Sequence, residues 1–512
     1  MAQHPAAPEV SRQSRPRGTV RGSRRLPIEA IGVGLGLLVL LVVFVAADPP
    51  SHVTFSSSPF TDEAFNNVNA RNFVQLGRWS TDEWNLYLVN LPFSLIEALW
   101  FQLVGVGIVQ ARLVTIACVS LAAAALVWSL RGAVGRGAAL FAGLAFATSG
   151  LVLFYGRLAF LEDMVVLGLM LGTAVLARDD RLTLRWGVLS GVCYALAIGA
   201  KPSAGFAVAG ILVAVALGIG RHDPAARRWT AGALAAIALA GLVWAAVIWL
   251  PNRDAVALDL RIWAPENLNL APFDMLRSAW HYVSGDNDHL YGRLLGPVLL
   301  LGAAGLASVA IFRHRLSRCQ TRLAVVAIGW LALGFGILLI ASYRPNRYVL
   351  PLVPPLAILS GLGFHAVGQW LGERRIGGQP SIGRSASAVL VIALTAGAAV
   401  PGLALYGSWA REATYNLPDI QARLANAVPD GARVGGRESA LYLMRSHAIT
   451  LITQPGGGPA NHGDLYAQGV RWYVLPADDA PPPGVSDALW AARQRVLCAD
   501  YGDVTECLFH VP

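Results

Sequence analysis

Long apolar blocks separated by short arginine-bearing stretches constrain the fold of this chain more than any other feature. An α-helix rises about 1.5 Å per residue and the hydrocarbon core of a bilayer is roughly 30 Å thick, so about 20 apolar residues cross it. By this rule about eleven stretches are predicted to be spans of an all-α polytopic membrane protein. They are Ile28–Ala47, Ile108–Leu130, Ala138–Phe154, Met164–Ala177, Trp186–Gly199, Ala204–Gly220, Trp229–Leu250, Leu294–Phe312, Leu323–Ala341, Tyr348–Leu371 and Ala386–Leu405.

The charge distribution predicts how the chain is oriented in the membrane. Of 512 residues 55% are hydrophobic and only 14% are charged, a composition too apolar for an ordinary soluble protein. The net charge of +9 does not indicate a nucleic-acid partner, because the arginines are sorted by loop and not gathered on one face. With a cytoplasmic N-terminus, the inner loops hold 21 arginines, and the outer loops, excluding the C-terminal tail, hold only about half as many basic residues, as expected of a cell-membrane protein. An odd number of spans then places the C-terminal residues outside.

Three regions are predicted from the shifts in composition. Residues 1–26 are a disordered basic cytoplasmic tail, residues 27–410 form the membrane domain, and residues 411–512 form a small extracytoplasmic α/β domain. The membrane domain carries large outer loops at 48–107 and 251–293. Its first apolar block is longer than the 7–15 residues usual for the apolar part of a signal peptide, so an uncleaved anchor is favoured over a cleaved one.

Two of the five cysteines lie on either side of a predicted hairpin turn. A two-residue turn at Gly502-Asp503 places Cys498 directly opposite Cys507. That register gives a closely approaching pair, which is compatible with disulfide geometry. Because the predicted location is oxidising, we expect a disulfide between them.

The first candidate for chemistry is the acidic pair Asp62-Glu63, about fifteen residues beyond the first span. Two adjacent carboxylates can bind a divalent metal, or one can act as a general base whose pKa is raised by its neighbour. The same letters also fit a structural interpretation, with Thr61 as a helix cap and both acids in the first turn. On their own, these residues leave both interpretations open.

A second group of ionisable residues interrupts two apolar spans at Arg157, Glu162 and Asp163. The connecting loop is short, so these side chains are held at the membrane face, where charges are costly and usually functional. The alternative is an interfacial ion pair that ends two helices.

Two further groups follow at predicted outer ends of spans. Lys201 is the only lysine in the chain, and Arg347 and Tyr348 precede an apolar, proline-containing span. Such cations and aromatic rings suit a lipid phosphate, although a snorkelling lysine and an aromatic anchor explain them equally. The predicted topology places all four groups on one side of the membrane, whereas a transporter would bury its charges near the midplane.

The order of these motifs resembles the GT-C glycosyltransferases, in particular the protein O-mannosyltransferases of family 39 and, more loosely, the aminoarabinose lipid A transferases. The resemblance covers residues 28–405. It is carried by Asp62-Glu63, Asn69-Ala70-Arg71-Asn72, Gly77-Arg78-Trp79-Ser80, Leu103–Gly107, Arg112, Arg157, Glu162, Lys201-Pro202-Ser203, Asn346-Arg347-Tyr348, Pro351 and Pro354-Pro355.

The resemblance implies an inverting transfer of a sugar from a polyprenyl-phosphate donor to a protein, lipid or glycan acceptor on the outer face. It implies that Asp62 is the base, with Glu63 assisting it or binding metal. Arg157 and Glu162, beside Asp163, would hold donor phosphate and acceptor. Lys201 and Arg347, beside Tyr348, would stabilise the departing phosphate. These implied catalytic residues (Asp62, Glu63, Glu162) and substrate-binding residues (Arg157, Asp163, Lys201, Arg347, Tyr348) require no cofactor other than, at most, a divalent metal.

One element departs from the related enzymes. Where they often carry His- or Lys-Pro-Pro late in the first loop, this chain has Val89-Asn90-Leu91-Pro92. The phosphate and metal site of the aminoarabinose enzymes is therefore not carried over. Two other classes of function stay open, a polytopic transporter or flippase and a non-enzymatic assembly protein.

Overall fold

The computed structural model describes residues 28–49, 61–79, 90–178, 181–221, 223–254, 256–257, 271–284, 296–341, 346–373, 380–436, 438–451, 465–482, 484–501 and 504–512. The predicted tail 1–26, most of the predicted outer loop 251–293 and the predicted turn Gly502-Asp503 lie outside these residues.

Helices dominate the described part of the chain. In chain order they are α1 Ile28–Val43, α2 Thr61–Leu76, α3 Leu91–Val104, α4 Ile108–Ala147, α5 Gly150–Tyr155, α6 Leu161–Ala174, α7 Leu184–Ala200, α8 Ala204–Val213, α9 Pro224–Trp244, α10 Pro272–Ser284, α11 Gly296–Ile311, α12 Arg318–Ile340, α13 Val353–Glu373, α14 Pro380–Glu412, α15 Asn416–Ala427, α16 Ser439–Tyr442 and α17 Asp487–Ala491. Wider π-helical turns extend α8 to Ile219 and α9 to Trp249, and a 3-10 helix, Asn346–Leu352, leads into α13.

Several helices are apolar enough to lie in a membrane. Among the described residues, four are also long enough to cross one, namely Ile108–Ala147, Pro224–Trp249, Arg318–Ile340 and Asn346–Leu371. Shorter apolar helices include α1, α3, α7 and the extended α8. Leucines and valines on the outer sides of α1 and α9, such as Leu35 and Leu242, are exposed, as expected of surfaces that face lipid. The chain is a multi-pass membrane protein, and the count of about eleven spans stays a prediction.

The longest helix, α4, contains a break where the sequence predicts two separate spans. Gly135 has φ of 82° inside α4, a backbone conformation that glycine adopts without steric cost. Arg131 and Arg136, on either side of the break, form ion pairs with Glu29 of α1 at 3.6 and 3.0 Å. The predicted boundary between the two spans therefore corresponds to a break in the helix at Gly135, and the ion pairs on both sides of the break connect it to α1.

A small sheet follows the membrane helices. Its strands are β1 Arg433–Gly435, β2 Ile449–Leu451, β3 Trp472–Pro476, β4 Gln494–Tyr501 and β5 Val504–His510, in the order β2-β1-β3-β5-β4. The first three strands are parallel, and β5 is antiparallel to both β3 and β4. We refer to Asn416–His510 as the C-terminal unit. The division of the chain into the three predicted domains stays a prediction.

The β4–β5 hairpin has the register that the sequence predicts. Cys498 pairs with Cys507, and Tyr501 pairs with Val504 at the turn. The two cysteines lie 4.1 Å apart between Cα atoms and are joined by a disulfide in the structure.

The crossing of α14 on the start of α5 generates a prediction about stability. A methyl group at Gly402 would collide with the backbone carbonyl oxygen of Thr148, whereas one at Gly407, on the same helix, would meet open space. We expect Gly402→Ala to lower the thermal unfolding midpoint in detergent, because overpacking costs about 1–3 kcal/mol. Gly407→Ala should leave the midpoint unchanged. Equal midpoints for the two variants would contradict this packing.

The disulfide makes a prediction about labelling. Alkylation of the denatured protein without reductant should modify only the three free cysteines, Cys118, Cys193 and Cys319. After reduction all five should be modified, which intact-mass spectrometry distinguishes. Five labels without reductant would refute the bridge.

Candidate active site

The N-terminal turn of α2 presents Asp62 to a cation from a distant part of the chain. The Oδ2 atom of Asp62 lies 2.8 Å from Nη2 of Arg347. The Asp62 side chain is 33% exposed, so its carboxylate can be reached by a second molecule. Asp62 is therefore an acid that lies next to a cation and is accessible to a second molecule.

The same arginine connects Asp62 to a second acid. Arg347 Nε is 3.4 Å from Glu162 Oε1, and Nζ of Lys201 donates to the same oxygen at 2.6 Å. Glu162 is 2% exposed, while the Lys201 side chain retains 18% exposure. The result is a continuous row of alternating charges, Asp62, Arg347, Glu162 and Lys201, assembled from four separate segments.

Local structure explains why these segments meet. Glu162 lies in the first turn of α6, where an acid is favoured by the helix dipole. Lys201 is the residue that ends α7, and Arg347 lies in the first turn of the 3-10 helix before α13. The Tyr348 ring lies 3.8 Å from Nζ of Lys201, a distance at which ring and ammonium attract each other.

A cavity opens beside this row of charges. The space at its opening, which includes solvent outside the protein surface, amounts to about 430 Å³. Glu162, Lys201, Ser203 and Tyr348 contribute its polar part, and its apolar walls come from α6, α8, α12 and the segment before α13. A ligand with a charged head and a hydrocarbon tail would match this division.

Glu63, the other member of the acidic pair, points in a different direction. Both of its carboxylate oxygens accept hydrogen bonds from Arg112 of α4 at 2.7 Å. Oε1 also accepts the backbone N–H of Ala159 at 2.9 Å. Glu63 and Arg112 are both fully buried, so Glu63 is engaged in a bidentate ion pair and is inaccessible to substrate.

Arg157 is also engaged away from the cavity. Its Nη1 atom donates to the carbonyls of Phe44 and Ala47, and Nη2 donates to that of Asp48. Its guanidinium lies 4.3 Å from the Trp409 ring. Burial lowers the pKa of Arg157 to about 10, so the side chain stays cationic at neutral pH. These donors satisfy the carbonyls just beyond the end of α1, and a contact of Arg157 with donor phosphate stays a prediction.

Asp163 follows Glu162 but lies on another side of α6. It is completely buried, and neither carboxylate oxygen has a hydrogen-bond partner among the described residues. It does not line the cavity. The substrate-binding role of Asp163 stays a prediction.

Sequence reasoning did not assign a role to Arg112. The signal that the sequence offers is that Arg112 is a lone cation near the start of an apolar block. Its partner, Glu63, could be found only from the three-dimensional arrangement.

The acidic pair Asp62-Glu63 is the predicted place for a divalent metal. Within the described ranges, no group of three or more His, Cys, Asp or Glu side chains is arranged to hold a metal ion. The divalent metal stays a prediction.

Comparisons with known proteins agree with the fold. A family model described as dolichyl-phosphate-mannose-protein mannosyltransferase matches residues 80–222. A search of curated proteins finds no match. The structure is similar to the crystal structure of ArnT from Cupriavidus metallidurans bound to undecaprenyl phosphate, with a TM-score of 0.62 and 14% identity, over 94% of this chain and 97% of ArnT.

Two other solved structures share the fold at lower similarity. Arabinofuranosyltransferase AftD from Mycobacteria has a TM-score of 0.52 and 17% identity, over 94% of this chain and 40% of AftD. The Archaeoglobus fulgidus oligosaccharyltransferase, tethered with an acceptor peptide, has a TM-score of 0.51 and 12% identity, over 87% of this chain and 69% of its own. Together these matches confirm the predicted resemblance: the chain has the fold of the GT-C membrane glycosyltransferases, and its residues 80–222 match the protein mannosyltransferase family.

Proposed function

We propose that this protein is a membrane glycosyltransferase that moves a sugar from a polyprenyl-phosphate donor to an acceptor at the outer face of the membrane. The observation that carries the proposal is the row of charges from Asp62 to Lys201 at the edge of a partly apolar cavity. An accessible acid next to two cations is suited to taking a proton while a phosphate leaves.

The donor is proposed to bind with its phosphate at Lys201 and Arg347. Both are cations within reach of the same Glu162 oxygen, and Tyr348 packs beside them. The isoprenoid tail would follow the apolar wall formed by residues such as Ala207, Leu338 and Leu352. Leaving the tail in contact with lipid avoids exposing hydrocarbon to water. The solved structure of ArnT, which shares this fold, is bound to undecaprenyl phosphate.

The proposed reaction is a single displacement. The acceptor hydroxyl oxygen attacks the anomeric carbon of the donor sugar as the bond between that carbon and the phosphate oxygen breaks. Asp62 accepts the hydroxyl proton, and the polyprenyl phosphate leaves with the bonding electrons. Attack from the face opposite the phosphate inverts the configuration. Lys201 and Arg347 stabilise the charge that develops on phosphate, so no general acid is needed.

Glu162 is proposed to hold the two cations and not to exchange protons itself. It is nearly inaccessible and is bound by Lys201 and Arg347 on one oxygen. Without it the two cations would repel each other. Glu63 and Arg157 are assigned structural roles in the same way, because their contacts are made to Arg112 and to the carbonyls that follow α1. Asp163 is given no role in the reaction.

The location of the reaction rests on the arginine distribution. An N-terminus inside and a C-terminal unit outside follow from the excess of arginine in the predicted inner loops. The partners are then a lipid-linked sugar in the outer half of the membrane and a protein, lipid or glycan acceptor, with no nucleic acid.

Removing the proposed base generates the first functional prediction. Asp62→Asn keeps the shape of the side chain but lowers its basicity, so we expect transfer to fall at least about 100-fold. The measurement is mass spectrometry of envelope glycans and glycoproteins in a strain that lacks this chain and is complemented with each variant. Asp419→Asn is the control, because Asp419 is also in the first turn of an outer helix but is exposed.

The outcome separates the classes of function. Wild type and Asp419→Asn should restore the missing glycan, and Asp62→Asn should not, although its unfolding midpoint is unchanged. Full restoration by Asp62→Asn would refute the base and favour a transporter or flippase, for which no proton acceptor is required at this position.

The proposed phosphate site generates the second functional prediction. Lys201→Met removes one cation while keeping the aliphatic stem, so the affinity of the purified protein for undecaprenyl phosphate should fall about tenfold or more. Arg253→Met is the control, since Arg253 is an exposed cation near the end of α9. Equal affinities for wild type and Lys201→Met, measured by titration in detergent, would place the phosphate elsewhere.

A further inference from the structure

Three buried polar side chains lie along one side of α2, the helix that carries Asp62. Glu63, Asn67 and Arg71 are spaced four residues apart, so they form one row on the helix. All three have no exposed surface. Glu63 binds Arg112 and the Ala159 backbone, and Asn67 donates to the Ala159 carbonyl at 3.3 Å. The N-terminal half of α2 is thus held by the membrane helices.

The C-terminal half of α2 is held by a different part of the chain. The Nη2 atom of Arg71 donates to the carbonyls of Leu443, Ser446 and Ala448 at 3.2, 2.6 and 2.7 Å. Its Nη1 atom donates to Asn72 Oδ1 at 2.8 Å. Leu443, Ser446 and Ala448 lie in the turn between α16 and β2, so one guanidinium gathers three carbonyls of the C-terminal unit. Hydrogen bonds from a charged donor are stronger than neutral ones.

Apolar contacts join the same two surfaces. Ala64 and Val68 of α2 belong to one buried cluster with Leu441, Val474 and Leu508 of the C-terminal unit. The C-terminal unit therefore shares a hydrophobic core with α2 and is not an appendage on a linker.

A second polar connection reinforces the first. The Asp48 carboxylate, at the start of the outer loop, accepts hydrogen bonds from the backbone N–H groups of Asn416 and Leu417 at 2.8 and 3.0 Å and from the Thr414 hydroxyl at 2.7 Å. These contacts satisfy the start of α15. Tyr501, at the tip of the disulfide-bonded hairpin, is buried close enough to Asp48 for its pKa to be raised by burial and by that negative charge.

We infer that Arg71 is a positioning residue for the proposed reaction: it fixes α2 to the C-terminal unit, so that Asp62 is held against Arg347 and the C-terminal unit is part of the catalytic apparatus. The inference rests on the proposed function, since it assigns Asp62 the role of base. Arg71 itself does not line the cavity or contact the row of charges. Arg71 acts on Asp62, nine residues earlier in the chain, through helix α2.

This arrangement separates binding from turnover. Lys201 and Arg347 belong to α7 and to the segment before α13, neither of which is fixed by Arg71. Loss of Arg71 should therefore leave the donor-phosphate site in place while Asp62 is displaced. A small displacement of a reacting group lowers the rate steeply. Turnover should fall, and affinity for a polyprenyl phosphate should not.

The test compares Arg71→Met, Arg71→Lys and the control Arg433→Met with wild type. Methionine has no donors, lysine retains a cation for the three carbonyls, and Arg433 is an arginine of the C-terminal unit that donates to a single carbonyl, that of Gln468, at the surface. Three quantities are measured: hydrogen exchange of residues 61–76 without ligand, affinity of the purified protein for undecaprenyl phosphate, and glycan formed in the complemented strain.

For Arg71→Met we expect faster exchange in α2, an affinity within about twofold of wild type, and at least about tenfold less glycan per molecule of protein, which corresponds to about 1.4 kcal/mol. Arg71→Lys should lie between Arg71→Met and wild type in exchange and in product. Arg433→Met should match wild type in all three. Should Arg71→Met fail to give monodisperse protein, Arg71→Lys carries the same test.

Three results would overturn the inference. If hydrogen exchange in α2 of Arg71→Met is unchanged, Arg71 does not hold the helix. If hydrogen exchange is faster but the amount of glycan is undiminished, the contacts of Arg71 do not position the base. A tenfold loss of affinity for undecaprenyl phosphate would make Arg71 a ligand contact. Failure of wild type to restore any glycan would refute the proposed function and the positioning of a base with it, whereas the exchange data alone would still decide whether Arg71 holds α2.

Discussion

The buried ion pair between Glu63 and Arg112 is the interaction on which the rest of the site depends. Two opposite charges with no exposed surface are stable only when their geometry is close to ideal and their remaining hydrogen-bonding groups are satisfied. Here two parallel hydrogen bonds of 2.7 Å join the pair, Ala159 donates to the acid, and the arginine also donates to the carbonyls of Val45 and Ala47. The pair therefore connects α2 and α4 with the segment after α1 and the segment before α6.

The Glu63–Arg112 ion pair gives the two neighbouring acids of α2 different environments. Glu63 turns inward and pairs with Arg112, which leaves Asp62, one residue earlier on the helix, beside Arg347 with a third of its side chain exposed. An acid at the surface can take up and release a proton, whereas a buried paired acid mainly fixes geometry. Adjacent residues on a helix are about 100° apart, so one turn supplies both a fixed anchor, Glu63, and an accessible carboxylate, Asp62.

Much of this could be predicted from the sequence, but not all of it. Apolar length predicts the membrane helices, and the turn at 502–503 predicts the pairing of Cys498 with Cys507, because both follow from local spacing. The grouping of Asp62 with Glu162, Lys201 and Arg347 rested on a resemblance and on topology, and the geometry brings these four together. The partners of Arg157 could not be predicted from the sequence. An arginine can donate to phosphate oxygens or to backbone carbonyls, and only the folded structure shows that the carbonyls after α1 lie within its reach.

The contact between Arg71 and Leu443 joins residues 372 positions apart. During synthesis at about 5–20 residues per second, α2 would leave the ribosome roughly 20–70 seconds before the carbonyls that its arginine binds. Throughout that interval the guanidinium must stay hydrated at the membrane surface, and the helix has only its N-terminal contacts. The order of synthesis thus delays completion of the proposed active site until the C-terminal unit has folded, so a partly made chain contains Asp62 but not the contacts proposed to position it.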